Sequence, residues 1–240
     1  MILAILQARM SSSRLPGKAL LPLVGAPMIL RQIERVSRSR LIDRLVMATS
    51  DEPEDDILAE TVIGAGVAVH RGSLDDVLAR FIGALDAFGP ADHVVRLTAD
   101  CPLADPEVID ATIDKVVSMG VDYGSNTPPE RRTFPKGLDV EAMTPAALRA
   151  AAARASTPEE HEHVTWALHS HPELYRQAWL SQNADEGDVR WTVDYAHDYE
   201  FVRAVYEGLY PGRPAFTSDD VRALVRSRPD LARLGGERRI

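Results

Sequence analysis

The chain has 240 residues, 45% of them hydrophobic, which is enough to bury a sizeable core in a single domain. Its formal net charge of −9 disfavours binding to nucleic acid or to anionic membranes, so we expect small molecules or proteins as partners. The single cysteine, Cys101, excludes an internal disulfide framework, and the N-terminal apolar run is too short for a signal peptide or a membrane span. We therefore expect a cytoplasmic protein.

In the first half of the chain, short apolar runs alternate with segments of helical period. The predicted strands are 1–6, 45–49 and 93–98, and the predicted helices between them are 28–36, 54–63 and 74–88. The last of these helices is expected to have Ser73 as its N-cap, with Asp76 closing a capping box. This alternation is typical of a parallel sheet covered by helices.

The second half is predicted to continue with further helices and strands around one long loop. A helix follows Asp105 to about residue 119, 122–137 is the loop, and 138–143 is a strand. The remaining elements are predicted as helices 145–155, 158–171, 198–209 and 218–227 and as strands near residues 178 and 191. We predict an α/β fold with a mostly parallel sheet and helices on both faces, in one domain over 1–240.

The loop after the first predicted strand is rich in cations. The segment QARMSSSRLPGK carries Arg9, Arg14 and Lys18, and no acidic residue precedes Glu34. Arg and Lys neutralise phosphate charge, the serines can donate hydrogen bonds, and ligands of open parallel sheets bind beyond the carboxyl ends of the strands. We therefore predict that this loop binds a polyphosphate, although it lacks the glycines of a Walker A motif.

Two aspartates are candidates for a metal site near this loop. Asp100 directly follows the predicted strand 93–98, and Asp194 follows the apolar stretch WTV. Carboxylates in such positions are usual ligands of Mg²⁺ in nucleotidyl transfer. Each aspartate has an alternative role as a helix N-cap.

The histidines and tryptophans of the second half have simpler explanations than a metal or stacking site. His161 and His163 are two residues apart, so on one helix they cannot chelate zinc from the same face. Trp166, Trp179 and Trp191 are expected to be core or dimer contacts.

Several ordered motifs together resemble one known family. ARMSSSRLPGKAL, VMATS, HRGSLDDVLARF, RLTADCPLADP, GLDVE, EHVT and WTVDYAHDYEF are similar, in this order, to motifs of the acylneuraminate and deoxyoctulosonate class of cytidylyltransferases. The spore coat polysaccharide branch of that class is the most similar. The resemblance spans nearly the whole chain. It implies a Rossmann-like nucleotide-diphospho-sugar transferase fold, a homodimer, CTP as donor and Mg²⁺ as cofactor.

The resemblance also implies roles for individual residues. By motif position, the residues implied in nucleotide binding are Ala8, Arg9, Arg14, Lys18, Arg71 and Ser73. Those implied in catalysis are Lys18, Asp100 and Asp194, with Asp100 and Asp194 for the metal, and those implied for the acceptor are Glu141 and His161. Residues 122–185 would form the acceptor-binding or dimerisation region. His161 stands where the family usually has Arg, which leaves the identity of the acceptor open.

The implied reaction is the activation of an acidic sugar, of the 2-keto-3-deoxy or nonulosonate type, to its CMP-sugar with release of pyrophosphate. Two alternatives remain at this point. One is a cytidylyltransferase for a phosphonate or polyol phosphate acceptor, and the other is an inactive nucleotide-binding partner subunit. The presence of Lys18, Asp100 and Asp194 together favours an enzyme.

Overall fold

The computed structural model describes residues 1–232 and 234. The strands are β1 (Ile2–Gln7), β2 (Pro22–Leu23), β3 (Ala26–Pro27), β4 (Arg44–Ser50), β5 (Ala68–Gly72), β6 (His93–Thr98), β7 (Tyr123–Ser125), β8 (Glu141–Met143) and β9 (Gln177–Trp179). The helices are α1 (Met28–Val36), α2 (Asp56–Gly64), α3 (Val77–Phe88), α4 (Pro106–Met119), α5 (Pro145–Arg154), α6 (Pro158–Glu162), α7 (Trp166–Ser170), α8 (Ala196–Leu209), α9 (Ser218–Ser227) and α10 (Pro229–Ala232). No helix in this part of the chain has the length and hydropathy needed to cross a membrane.

Within the described residues, seven strands form one sheet in the order β5-β4-β1-β6-β8-β7-β9, and β2 and β3 form a separate hairpin. Strand β8 runs antiparallel to β6 and β7, whereas the other neighbouring pairs of the large sheet are parallel. The chain passes from β1 outward to β4 and β5 and then returns to β6 on the other side of β1. The carboxyl ends of β1 and β6 therefore flank a topological switch point, where open α/β sheets bind ligands.

Alternate side chains of β1 enter two different cores. Leu3 and Ile5 belong to a core with α3, α5 and α7, while Ala4 and Leu6 belong to a core with α1, α2 and α4. A strand that is buried on both faces has a continuous run of apolar residues, and this run is the feature that predicts β1 from the sequence. The predicted mostly parallel sheet with helices on both faces is confirmed. A third core, centred on Trp191, lies under α8 and α9.

Several predicted elements have the bounds expected from the sequence, including 93–98, 28–36 and 218–227. The strand predicted near residue 191 is wrong, because the described chain forms only an isolated bridge between Lys136 and Arg190 there. The predicted loop 122–137 contains the short strand β7 at its start. Three residues are too few for a periodic signal, and their pairing with β8 and β9 is tertiary.

Two predicted helices differ from the structure in ways that affect the site. Helix α3 begins at Val77 because Asp76 is itself the N-cap, with a side chain that accepts a hydrogen bond from the Ala79 N–H at 2.8 Å. The predicted helix 158–171 is interrupted between α6 and α7. The interruption contains two β-branched residues, Val164 and Thr165, which have lower helix propensity.

Gly137 packs directly against the backbone of Trp191 and Thr192, so a side chain at Gly137 would push these two parts of the chain apart. Gly137 has φ +106, and a Cβ there would lie 2.6 Å from the Thr192 nitrogen and from the Trp191 carbonyl carbon. We expect Gly137→Ala to lower the free energy of unfolding by about 3 kcal/mol, measured by chemical denaturation. The matched control is Gly66→Ala, where φ is +82 but the space is open, so only backbone strain of about 1 kcal/mol applies. Equal losses in both variants would contradict the proposed close approach.

Candidate active site

The cation-rich loop is held at its start and at its end by backbone contacts. The Met10 N–H donates to Asp55 Oδ1 at 2.6 Å. Asp55 is buried directly before α2 and also accepts hydrogen bonds from Thr49 and Ser50 at the end of β4. The Met10 carbonyl accepts hydrogen bonds from the N–H groups of Ser12 and Gly17, both at 2.9 Å. Gly17 takes a left-handed conformation at φ +72, and a short 3₁₀ helix begins at the next residue, Lys18. The Lys18 side chain reaches Val193 and Asp194 from there. The loop thus has a defined path.

Lys18 lies between the two predicted metal ligands. Its Nζ donates to the Val193 carbonyl at 2.6 Å and to Asp194 Oδ1 at 3.1 Å, and it lies 3.8 Å from Asp100 Oδ2. Asp100 is oriented by Thr98, whose hydroxyl donates to Asp100 Oδ1 at 2.6 Å. The structure therefore brings together three residues that are far apart in the sequence.

Neither aspartate is a helix cap. The N-cap of α4 is Asp105, which accepts the Glu107 N–H at 2.9 Å. At α8, Asp198 accepts the N–H groups of Asp194 and Tyr195, both at 3.0 Å. The carboxylates of Asp100 and Asp194 are therefore not used to cap these helices.

Asp194 lies among three cations. Arg190 Nη2 donates to it at 2.7 Å, and Arg14 Nη2 lies at 3.5 Å, in addition to Lys18. Burial alone would raise the pKa of Asp194, but the charge of Lys18, with the contacts of Arg190 and Arg14, holds its pKa below the ordinary value. Asp194 is therefore a carboxylate at neutral pH.

These residues surround a cavity of about 270 Å³ at the switch point, which we call the Lys18 cavity. Its wall contains four of the predicted nucleotide-binding residues and both aspartates: Ala8, Arg9, Arg14, Lys18, Asp100 and Asp194. Ser12 and Ser13 of the loop line it as well. The cavity has the composition of a phosphate site, with exposed arginines, a lysine and hydroxyl groups.

Arg71 and Ser73 do not line this cavity. Arg71 donates to the carbonyls of Ser50 and Glu52 at 2.9 Å each, so it ties edge strand β5 to the end of β4. The Ser73 hydroxyl accepts the Asp76 N–H at 3.0 Å and belongs to the turn before α3. Their contact with a nucleotide stays a prediction.

A second cavity of about 440 Å³, the Glu141 cavity, shares Arg96 and Thr98 with the Lys18 cavity. Glu141 lies opposite Arg96 in the antiparallel pair of β6 and β8 and forms an ion pair with it. Its other oxygen accepts hydrogen bonds from Tyr123 and Thr165, both at 2.6 Å. Burial alone would raise the pKa of Glu141, but the Arg96 charge and these hydrogen bonds lower it.

His161 does not line the Glu141 cavity. Its Nδ1 lies 2.8 Å from Asp76 Oδ2, and it lines a third cavity that shares Arg9 with the Lys18 cavity. Trp166 and Trp179, predicted as core or dimer contacts, pack against the core of α3, α5 and α7 and also line the Glu141 cavity. His163, which the sequence offered only as a zinc ligand, lines it too, as do Thr165 and His169, which sequence reasoning overlooked. The signal that could have found them is the cluster of polar and aromatic residues around EHVT. Arg96 was also overlooked, although it is the one arginine or lysine in the predicted strand 93–98 and is flanked by Val95 and Leu97.

The pair Asp100 and Asp194 fits a divalent cation. Among residues 1–232 and 234, no three His, Cys, Asp or Glu side chains form a metal-binding group. Mg²⁺ does not require one, since it usually keeps several waters and is held by one or two carboxylates plus substrate phosphates. Both carboxylates approach the Lys18 ammonium, so their oxygens already face a common cation.

We expect the pair of Glu141 and Arg96 to make stability depend on pH. The pKa of Glu141 is lower in the folded protein, so its carboxylate stabilises the fold above the unfolded pKa of about 4.3, and this contribution is lost as the pH falls through the lower folded pKa. Glu141→Gln should lower the free energy of unfolding by about 3 kcal/mol at neutral pH, because Arg96 loses its charged partner. The difference in free energy of unfolding between Glu141→Gln and wild type, measured by urea denaturation, should become smaller at acidic pH.

The control for this prediction is Glu207→Gln. Glu207 is exposed and lies 3.8 Å from Arg203, so we expect a change below about 0.5 kcal/mol. If Glu141→Gln lowered the free energy of unfolding by the same amount at neutral and at acidic pH, the pH dependence assigned to the pair of Glu141 and Arg96 would be wrong.

Comparison with known proteins supports the predicted resemblance. Residues 3–204 match the family model for cytidylyltransferases. The chain is 36% identical to the spore coat polysaccharide biosynthesis protein SpsF of Bacillus subtilis strain 168, over 96% of each chain.

Two solved structures have similar folds. A cytidylyltransferase from Leptospira borgpetersenii superimposes with a TM-score of 0.91 at 28% identity, over 98% of each chain. A CMP-2-keto-3-deoxy-manno-octonic acid synthetase complexed with CTP superimposes with a TM-score of 0.63 at 19% identity, over 86% of this chain and 98% of that one. The predicted fold and the resemblance are confirmed: the chain belongs to the cytidylyltransferase family and is a nucleotidyltransferase.

Proposed function

We propose that this enzyme transfers the CMP group of CTP to an acidic sugar of the 2-keto-3-deoxy or nonulosonate type, for surface polysaccharide or glycan biosynthesis. The observation that carries the proposal is the junction of two cavities at the switch point. One cavity contains Arg14, Lys18 and the aspartate pair, and the other is next to it across Arg96 and Thr98. A nucleotide in the first and an acceptor in the second would meet at this junction.

On the nucleotide side, the loop after β1 would hold the triphosphate. Arg9 and Arg14 are exposed in the cavity wall, and Lys18 still has a proton for a phosphate oxygen beyond its bonds to Val193 and Asp194. Ala8 is a small residue at the end of β1, so its backbone would allow a close approach of the nucleoside. These contacts would neutralise and orient the phosphates while the acceptor hydroxyl attacks the α-phosphorus and pyrophosphate leaves.

Asp100 and Asp194 would hold Mg²⁺ in this site. When bound, the ion supplies charge neutralisation of the triphosphate and of the leaving pyrophosphate. The protein keeps the Asp194 carboxylate ionised through Lys18, Arg14 and Arg190. It orients the Asp100 carboxylate through the Thr98 hydroxyl.

On the acceptor side, the Glu141 cavity would receive the sugar. Apart from Arg96 and Thr98, its wall comes from within residues 122–185, which supports an acceptor role for this region of a single domain spanning 1–240. Glu141 uses its oxygens on Arg96, Tyr123 and Thr165, so we assign it to supporting the cavity. His161 would contact the acceptor from the cavity that it lines together with Arg9.

We further propose that the enzyme is a homodimer in the cytoplasm, as the resemblance implies.

The nucleotide preference can be tested by thermal unfolding. We expect CTP with Mg²⁺ to raise the melting temperature more than ATP, GTP or UTP at equal concentration, because a ligand that binds only the folded state stabilises it by mass action. Lys18→Met, which removes one phosphate contact, should reduce the shift while leaving the fold intact. Equal shifts by all four nucleotides would argue against a cytidine site.

The metal site can be tested through pyrophosphate release with acidic sugars as acceptors. Changing Asp100 or Asp194 to Asn should slow turnover roughly a hundredfold to a thousandfold, by analogy with loss of one preorganised charge-stabilising group. Because both residues would serve one ion, the double variant should lose much less than the product of the single losses. EDTA should abolish release, and added Mg²⁺ should restore it.

Asp219→Asn is the control for this series, since Asp219 is exposed on α9 and should leave the rate unchanged. Normal turnover in Asp194→Asn would leave Asp100 as the sole proposed protein ligand. Pyrophosphate release with a phosphonate or polyol phosphate, but with no acidic sugar, would reassign the acceptor.

A further inference from the structure

We propose that Arg96 binds the carboxylate of the acceptor and thereby selects sugars whose carboxylate lies on the carbon that carries the attacking hydroxyl. This inference rests on the proposed function and adds the residue that determines specificity. It assigns binding of the acceptor carboxylate to Arg96 and not to His161, which lines a different cavity from the Glu141 cavity.

One guanidinium nitrogen of Arg96 is left for a ligand. Its Nη1 pairs with Glu141, and its Nε donates to Gln7 Oε1 at 3.3 Å. Across residues 1–232 and 234, Nη2 of Arg96 has no hydrogen-bond partner. Two contacts therefore fix the plane of the guanidinium group, and the third nitrogen is available in a side chain that is only 16% exposed.

The local charges favour an anion at this donor. Arg96 is the only arginine or lysine among the residues that the structure shows lining the Glu141 cavity. The second carboxylate of this wall, Asp139, is already paired with Arg132 at 3.0 Å. Since both carboxylates of the wall are neutralised by an arginine, a carboxylate that enters the cavity would meet no unpaired negative charge, and guanidinium groups bind carboxylates strongly.

The position of Arg96 restricts where the carboxylate lies on the acceptor. Arg96 lies in the walls of both cavities and belongs to the same strand as Thr98, whose hydroxyl contacts Asp100. A group bound to Arg96 would therefore lie next to the place where acceptor oxygen and α-phosphate meet. A carboxylate on the carbon that bears the nucleophilic hydroxyl satisfies this geometry, whereas a carboxylate at the far end of a sugar does not.

An α-phosphate contact is the competing role for Arg96. Phosphate already has Arg9, Arg14 and Lys18 in the wall of the Lys18 cavity. The guanidinium group of Arg96, in contrast, is held by Glu141, which is fixed by Tyr123 and Thr165 of the Glu141 cavity. The contacts therefore favour the acceptor.

Binding calorimetry tests the proposal independently of turnover. The protein is saturated with Mg²⁺ and α,β-methylene-CTP, and the ligands are N-acetylneuraminate, 3-deoxy-manno-octulosonate and the methyl ester of each. For wild type we expect at least one acid to bind about 10- to 100-fold more tightly than its ester, the factor for loss of one charge-assisted hydrogen bond. In Arg96→Lys this ratio should fall close to one, because a single ammonium cannot serve both Glu141 and the ligand in the same geometry.

Arg222→Lys is the matched control, since the pair of Arg222 and Glu186 is as buried as the pair of Arg96 and Glu141, but neither residue lines the Glu141 cavity. It should keep the acid-to-ester ratio of wild type. If Arg96→Lys does not melt cooperatively, the double variant Arg96→Gln with Glu141→Gln, which removes both charges together, takes its place.

Three results would overturn the proposal: no acid binds to wild type, the ratio survives in the Arg96 variant, or the variant loses affinity for the CTP analogue instead of the acid. The proposed function is judged separately by pyrophosphate release. Acid binding without release would leave the Arg96 assignment standing and reject the transfer reaction. Release only with acceptors that lack a carboxylate would reject the Arg96 assignment and reassign the acceptor, but it would leave nucleotidyl transfer from CTP standing.

Discussion

Asp194 reaches the carboxyl end of the sheet because the backbone before it is bonded to the backbone of Asp100. The Asp100 carbonyl accepts the Val193 N–H at 2.8 Å and the Thr192 hydroxyl at 3.0 Å, and the Val193 carbonyl in turn accepts from Lys18. These contacts join the loop after β1, the loop after β6 and the segment before α8. Without them the cations of the first loop would face a single carboxylate.

A chain of buried charges supports this junction. Asp198 is fully buried and is bonded to Arg190 through two hydrogen bonds of 3.0 and 2.9 Å, while Arg190 also holds Asp194. Breaking such a pair on one side is costly because the remaining charge stays out of water. The arrangement therefore fixes the orientation of Asp194, and the capping of α8 by Asp198 leaves the Asp194 carboxylate available to the site.

Strand β8 has a comparable role at the Glu141 cavity. Its antiparallel pairing with β6 sets Glu141 opposite Arg96, and the interruption between α6 and α7 brings Thr165 to the same carboxylate. The sequence pattern predicted a continuous helix over 158–171, because hydrophobic periodicity carries no information about the hydrogen bond from Thr165 to Glu141. Two residues that line this cavity, His163 and Thr165, thus come from a break in local structure.

The sequence by itself determined the α/β class, the buried strands and the cation-rich loop, because two-sided burial demands continuous apolar runs and phosphate binding demands clustered cations. Its ordered motifs also identified the family and singled out Lys18, Asp100 and Asp194 as candidates for the site. Only the tertiary structure decided that neither aspartate is a cap, that Arg71 and Ser73 serve β5 and the turn before α3, and that Arg96 joins the two cavities. Strand order, antiparallel pairing and contacts between distant segments depend on how the whole chain packs, and no local pattern records them.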